Sequence, residues 1–248
     1  DAFRSMLEAL QKRGPDESTV FQREAVMLGH RRLSIIDVAG GTQPVFNETG
    51  TVACILNGEI YNFIELRARL ERNGHVFKTR SDTEVIVHLY EELGEAVFAE
   101  LSGMFAVIIA DFANDRTLIA RDRMGEKPLY YVDDPRFFAC ASEIKALRQH
   151  PHIEQRLDRD ALASYLRFGW IPGDRSILRG AKRLPPAHYL VLERGLVRQK
   201  QYWHADLTPL RTSRLELCEM LRAELDRTIV NKLISDVPLG VFLSGGLD

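Results

Sequence analysis

Residues 103–122 read GMFAVIIADFANDRTLIARD. Two apolar, β-branched runs flank Asn114-Asp115, a dipeptide suited to a tight reversal. The stretch predicts an antiparallel hairpin. A second one follows in KPLYYVDDPRFFACASE (127–143), turning at Asp133-Asp134-Pro135, and a third in AHYLVLERGLVRQKQYW (187–203), turning at Arg194-Gly195. Upstream the period is different. AFRSMLEALQKRG (2–14) spaces Phe3, Met6, Leu7 and Leu10 as a helix, with Gly14 as its expected C-cap. Asn62 is the expected cap of a helix that buries Phe63, Leu66 and Leu70 and stops at Asn73-Gly74. Asp82 is the expected cap of TEVIVHLYEELG, with Val85, Ile86, Leu89 and Leu93 on one face. EAVMLGHRRLSIID (24–37) and TVACILNG (51–58) read as buried strands, and DRDALASYLRFG (158–169) as a helix capped by Asp158. Helices followed by hairpins predict an α+β domain with layered sheets.

Apolar density drops in HADLTPLRTS (204–213), which reads as a linker. Beyond it Cys218, Leu221, Leu225, Ile229 and Leu233 form a stripe at helical spacing, and VPLGVFL (237–243) reads as a strand before Ser244-Gly245-Gly246. A helix, a strand and a glycine loop are how an α/β nucleotide-binding domain starts. Glycines there let backbone N–H groups converge on a phosphate, and Asp248 can help hold Mg2+. A plain glycine turn explains the same three residues equally well.

The chain has 248 residues, 45% hydrophobic and 27% charged, with net charge −2. Near-neutrality gives no electrostatic case for nucleic acid or a membrane surface. The longest apolar run, MFAVIIA (104–110), is far too short to span a bilayer. Cys54, Cys140 and Cys218 form neither a metal set nor a disulfide framework, and a cytoplasmic location is expected.

Three polar features stand out. Arg31 and Arg32 interrupt an apolar segment; such a side chain usually reaches solvent, but a buried arginine can clamp a carboxylate. Asn57-Gly58 after a strand is commonly only a turn, but an amide and a backbone N–H there can stabilise an oxyanion. Asp82 can cap a helix or bind an ammonium group. Together an arginine, an aspartate and an oxyanion pair describe a site for an α-amino acid with an acyl side chain.

RGPD, GHRRLSIID, QPVFNETG, NGEIYNF, RSDTEVI, LSGMFAV, ARDRMGEKPLYY, ASEIKAL and SDVPLGVFLSGGLD occur in that order along the chain. The combination resembles the glutamine-hydrolysing asparagine synthetases, class II amidotransferases joined to an ATP pyrophosphatase domain. The resemblance implies an N-terminal-nucleophile αββα sandwich over residues 1–203, a linker at 204–213, and the start of an α/β ATP-binding domain at 214–248. It implies that Arg32 binds the glutamine carboxylate, helped by Leu33, Ser34, Ile35 and Ile36. Asn57 and Gly58 would form the oxyanion hole beside Glu59, and Asp82 would take the α-amine. Leu243, Ser244, Gly245, Gly246 and Asp248 would contact ATP, with Asp248 near Mg2+.

The family's nucleophile is an N-terminal cysteine, expected here upstream of residue 1, so the chain is expected to be a fragment cut at both ends and inactive alone. Cys54 is rejected as a substitute because it is an internal strand residue without a free amine. ARDRMGEKPLYY is given a structural part near the domain junction. The implied substrates are glutamine, aspartate and ATP, and a homodimer is left open. Rival readings are an amidotransferase of the same build acting on a peptide or a cell-surface sugar, and a non-catalytic relic of the glutaminase fold.

Overall fold

A computed structural model describes residues 2–243, 245 and 246. From the amino end, helix α1 (Ala2–Glu8) leads into strands β1 (Glu17–Arg23), β2 (Val26–Arg32), β3 (Val45–Phe46) and β4 (Val52–Ile60). Helices α2 (Phe63–Arg72), α3 (Glu84–Leu93) and α4 (Val97–Glu100) follow. Then come the hairpins β5 (Gly103–Asp111) with β6 (Arg116–Arg121), and β7 (Tyr130–Asp134) with β8 (Phe137–Ala141). Helices α5 (Ile144–Leu147) and α6 (Arg159–Phe168) precede β9 (Lys182–Arg183), β10 (His188–Glu193), β11 (Leu196–Gln201) and helix α7 (Arg214–Lys232).

The predicted central hairpin is the middle of a six-stranded antiparallel sheet ordered β11-β10-β6-β5-β4-β3. Alternation along β5 feeds both of its faces. Phe105, Val107 and Ile109 join a core under α2, α3 and α4 that includes Leu66, Leu70, Ile86, Leu89 and Phe98. Ala106 faces Leu129, Tyr131 and Leu184, and Ala110 faces Leu28. Those partners come from a second β layer, built from the β1-β2 pair and from a three-stranded sheet ordered β8-β7-β9. Beyond that layer α1 and α5 pack through Met6, Ala146 and Leu147 against Val132 of β7. The order of layers is helix, sheet, sheet, helix, the αββα sandwich that the resemblance implies. Each fully buried Phe or Leu in these cores contributes roughly 1.5–3 kcal/mol.

All three hairpins form, but the second turns at Pro135-Arg136 rather than at Asp133-Asp134-Pro135, because Asp133 and Asp134 pair with Phe138 and Phe137 in the ladder. At the third, Arg194 and Gly195 both take positive φ (53° and 74°), the geometry a two-residue hairpin turn needs. Asp158 caps α6 by accepting the Ala161 N–H at 2.9 Å.

Four further expectations are corrected. Gly14 caps nothing, since α1 ends at Glu8. Its role is close approach: a Cβ there would lie 2.2 Å from the Arg31 carbonyl carbon. Asn62 makes no capping bond; its amide spans to Glu100 O (2.9 Å) and Ser102 N (3.0 Å). Asp82 does not cap α3, whose N-cap position is Thr83, and its carboxylate turns to β4 instead. Residues 237–243 form no strand, because among the described residues they have no neighbouring strand to pair with. β1, half-exposed along its length, is a strand that the apolar pattern did not mark.

Residues 204–212 carry no regular structure beyond a single bend and are exposed. α7 opens with a capping box between Ser213 and Glu216, yet none of its residues is buried. No described helix is long and apolar enough to cross a membrane.

Candidate functional site

Between the two sheet layers lies a cavity of about 900 Å3. Its body is apolar, walled by Phe3 and Met6 of α1, Leu28 of β2, Ile108 of β5 and Phe138 of β8. Its polar end is formed by Arg32, Asn57, Gly58, Glu59, Asp82 and Lys127. The polar end exists because β4 outruns β3. β3 pairs only with Ala53 and Cys54, so the rest of that edge of β4 carries backbone groups without a strand beside them.

The alternation of an antiparallel ladder decides which groups these are. Phe105 faces Gly58 across the ladder, but its N–H and C=O both turn to Asp122 on the β6 side. The N–H groups of Leu56, Gly58 and Ile60 therefore project from the free edge. Leu56 N–H donates to Gln43 Oε1 at 2.6 Å, and Ile60 N–H donates to Asp82 Oδ2 at 2.8 Å. The Gly58 N–H lies between them, beside the cavity. Glycine is required there: φ is +150°, and a Cβ would stand 1.9 Å from the Met104 carbonyl oxygen. Next to it, Asn57 Nδ2 donates to Ser142 Oγ at 3.3 Å.

The charged groups are unevenly compensated. Asp82 is 5% exposed and has no cationic partner among the described residues. Burial, with Glu59 nearby, pushes its carboxyl up to about 6, against the bonds from Ile60 and Ser81. Burial also raises Glu59, with Lys127 opposing. His30 is driven down to about 4, chiefly by burial, so its neutral ring donates from Nε2 to Leu56 O at 3.1 Å. Arg32 is buried and holds the chain that follows β2 in a tight curl. It donates to Ile36 O (3.0 Å), Asp37 O (2.7 Å) and Val38 O (3.2 Å), and lies 3.5 Å from Glu17 Oε2. A Cβ on Gly41 would fall 2.3 Å from its Nη2.

A buried arginine, a buried carboxylate and the unpaired edge of β4 thus share one cavity in an αββα sandwich. Residues 1–203 match the family model of the glutamine amidotransferase domain. The chain belongs to the glutamine amidotransferase family. Residues 220–248 match a second model, asparagine synthase. The chain is 38% identical over 247 residues to glutamine-hydrolysing asparagine synthetase 3 of Bacillus subtilis, covering 98% of this chain and 40% of that protein. It is 36% identical to glutamine-hydrolysing asparagine synthetase of Zea mays, covering 96% and 36%. It therefore spans about two-fifths of the length of these relatives. Among solved structures, the glutamine phosphoribosylpyrophosphate amidotransferase of B. subtilis superposes with a TM-score of 0.52 at 20% identity, covering 72% of this chain and 35% of that one. That likeness supports the fold alone.

Of the residues singled out in the sequence, Arg32, Leu33, Ile35, Ile36, Asn57, Gly58, Glu59 and Asp82 all border the cavity. Ser34 does not; its N–H donates to Asp16 at the surface. Leu243, Gly245 and Gly246 lie away from the cavity, and Ser244 and Asp248 fall outside the described residues. Cys54 sits on the opposite face of β4, fully buried under the helices, with its thiol pushed up by burial. Cys140 borders the cavity, but burial raises its thiol to about 12, so it carries no thiolate at neutral pH. Cys218 is exposed on α7.

The sequence reading missed Gln43, His30, Ser142 and Lys127. Gln43 is buried and braces β4 to Thr83, beside Asp82. ARDRMGEKPLYY forms a hydrogen-bonded knot after β6. Asp122 accepts from the N–H groups of Phe105, Met124, Glu126 and Lys127, while Arg121 donates to carbonyls at Gly125, Lys127 and Leu184. The knot delivers Lys127 to the cavity.

Proposed function

We infer that this chain is the glutaminase part of an enzyme that forms asparagine from aspartate, glutamine and ATP. The observation that carries the reading is Asp82: a buried carboxylate without a cation, in one cavity with Arg32 and the free edge of β4. Glutamine supplies the missing charge. Its ammonium group pairs with Asp82 and returns that carboxyl to full ionisation. Its carboxylate meets the N–H groups of Arg32 that the 36–38 carbonyls leave over. Its side-chain carbonyl oxygen faces the Gly58 N–H and Asn57 Nδ2, the donors of the oxyanion hole.

The nucleophile in this reading is a cysteine outside residues 1–248, since no described thiol is both activated and at the polar end. Its sulfur bonds to the amide carbon, and the oxygen takes the negative charge at the Gly58 edge. The C–N bond then breaks, and the nitrogen leaves as ammonia with a proton from the cysteine's own amine. Water releases glutamate from the thioester. β2 and β8 are outer strands of their sheets and both border the cavity, so an extended segment between them would carry the sulfur to Asn57 while making the second layer continuous.

The division into a glutaminase domain at 1–203, a linker at 204–213 and an ATP-binding part from 214 belongs to the same reading. So do aspartate as acceptor and Mg2+ as the ion on ATP. The synthetase half rests on the match of residues 220–248 and on the names of the relatives. Leu243, Gly245 and Gly246 border no described cavity, so no step is derived through ATP here.

The test uses the complete protein with Asp82→Asn, which keeps an oxygen for the Ile60 N–H but loses the charge. With ATP, Mg2+ and aspartate, the glutamine KM should rise at least about 100-fold, as for loss of a buried charge-assisted contact. Asparagine formation from free ammonia should be unchanged. Equal loss with both nitrogen donors would refute the role of Asp82. Glutamate release without asparagine in the wild type would refute aspartate as the acceptor.

A further inference from the structure

On the outer helical layer, four side chains from three segments converge outside the cavity lining. Glu48 comes from the turn between β3 and β4, His75 from the loop after α2, and His88 and Glu91 from successive turns of α3. Their ligand atoms all lie within 4.8 Å of one another. His88 Nδ1 is 3.2 Å from Glu48 Oε2 and 3.4 Å from Glu91 Oε2. His75 Nδ1 is 3.3 Å from Glu48 Oε1 and 3.8 Å from Glu91 Oε2.

His88 is fully buried, yet neither ring nitrogen has a hydrogen-bond partner of acceptable geometry. A buried imidazole aimed between carboxylate oxygens without a directed bond to either is an exception that asks for a third party. The spacings name it. Zinc ligands at about 2.0–2.1 Å in a tetrahedron stand about 3.3 Å from each other; His88 Nδ1 stands at that spacing from the Oε2 atoms of both Glu48 and Glu91, and His75 Nδ1 is within 3.8 Å of the same Glu91 Oε2.

The surroundings fit as well. Behind each imidazole stands a carboxylate: Glu84 Oε1 lies 3.8 Å from His88 Nε2, and Glu92 Oε1 lies 3.5 Å from His75 Nε2. This is the usual backing of a metal-bound histidine. Glu84 is fixed by the N–H groups of Lys78 and Thr79 and by the Thr79 hydroxyl, at 2.7, 2.7 and 2.6 Å. Asn47 Nδ2 occupies Glu91 Oε1, and the Val76 N–H occupies Glu48 Oε1. The Oε2 atoms of both are left turned to His88. Four carboxylates thus surround two imidazoles. The cations in the neighbouring loop and helix are engaged elsewhere, Lys78 with Asn47 O and Arg67 with Glu71, Thr79 O and the Phe77 ring. Glu48 and Glu91 are exposed, which leaves a path for entry.

We propose that Glu48, His75, His88 and Glu91 bind a divalent transition-metal ion of the zinc class, which fastens the β3–β4 turn and the loop after α2 to α3. The site is independent of glutamine hydrolysis, and its test involves no activity. The intact protein is stripped with a chelator, equilibrated with Zn2+ or with Mg2+, desalted, and assayed for metal content and melting temperature. The expected result is one zinc and no magnesium retained, with a rise in Tm of about 5 °C for the zinc form. His75→Ala, at a partly buried position, should bind zinc at least tenfold more weakly and lose that rise. Glu91→Gln should do the same and serves as the second variant should His75→Ala fail to fold. Loss of zinc on desalting, or equal retention by wild type and a folded variant, would overturn the proposal.

Discussion

Asp82 shows how one carboxylate can be costly to the fold and useful to the site. Its folded-state pKa of about 6 lies above the roughly 3.9 of an unfolded aspartate, and burial is the cause. The native state therefore holds a proton more tightly than the unfolded chain. Stability from this group is present below about pH 4, is lost as pH rises through about 6, and stays lost above. The expected size is about 3 kcal/mol. Asp82→Asn removes the titration. Urea melts of both proteins should show the variant gaining on the wild type by that amount between about pH 4 and pH 7. A gap that does not change with pH would mean that Asp82 is not desolvated as the structure has it. Arg32, Asn57, Gly58 and Asp82 were legible in the sequence because each is a polar or glycine residue set where the pattern calls for something else. Gln43 and His30 were not legible. Each matters through one bond to the backbone of Leu56, 13 and 26 residues away, and no local pattern encodes such a partner.

At the level of elements, the hairpins were readable because turn chemistry and β-branched runs agree locally. Asp158 caps α6 as expected, but the capping roles of Asn62 and Asp82 were misread for one reason. An Asn or Asp just before a helix looks the same whether it bonds to its own helix or to another element. Asn62 instead ties α2 to Ser102, and Asp82 ties the approach to α3 to β4. β1 was missed because among the described residues it pairs with β2 alone and its faces are half-exposed. The loop after β6 is the element on which the most backbone depends. A single carboxylate, Asp122, satisfies four N–H groups across residues 105–127. Asp122→Ala leaves these donors facing a dry interior, at about 1–3 kcal/mol for the first and less for those that water can reach. The expected loss is about 4 kcal/mol in denaturant melts, with amide exchange accelerating first at Met124–Lys127. A loss under about 1 kcal/mol would show that the loop is held by Arg121 alone.

The whole molecule is two unequal parts in what each buries. Every core belongs to residues up to 191, while α7 has an apolar stripe with Leu221, Leu225 and Ile229 half or more exposed. What joins α7 to the sandwich is a short docking at its end. Asp236 N–H donates to Ile35 O at 3.0 Å, the Asp236 carboxylate accepts the Asp37 N–H at 2.7 Å, Ile234 packs on the main core, and Lys232 lies over the Tyr61 ring. The two Asp236 bonds fall on the curl that Arg32 holds, so the end of α7 reaches the rim of the cavity while adding only Ile234 to the core. The sandwich should accordingly survive the loss of α7. Limited trypsin digestion should cut first at Arg211 or Arg214, where the backbone is exposed and unpaired or just entering a helix. The product ending there should keep the melting temperature of the parent within about 2 °C, because almost no apolar area is removed from the core. Faster exchange should appear only at residues 33–38, which lose Asp236. Early cleavage inside residues 1–203, or a product that melts well below the parent, would mean that α7 carries part of the fold through contacts stronger than this docking.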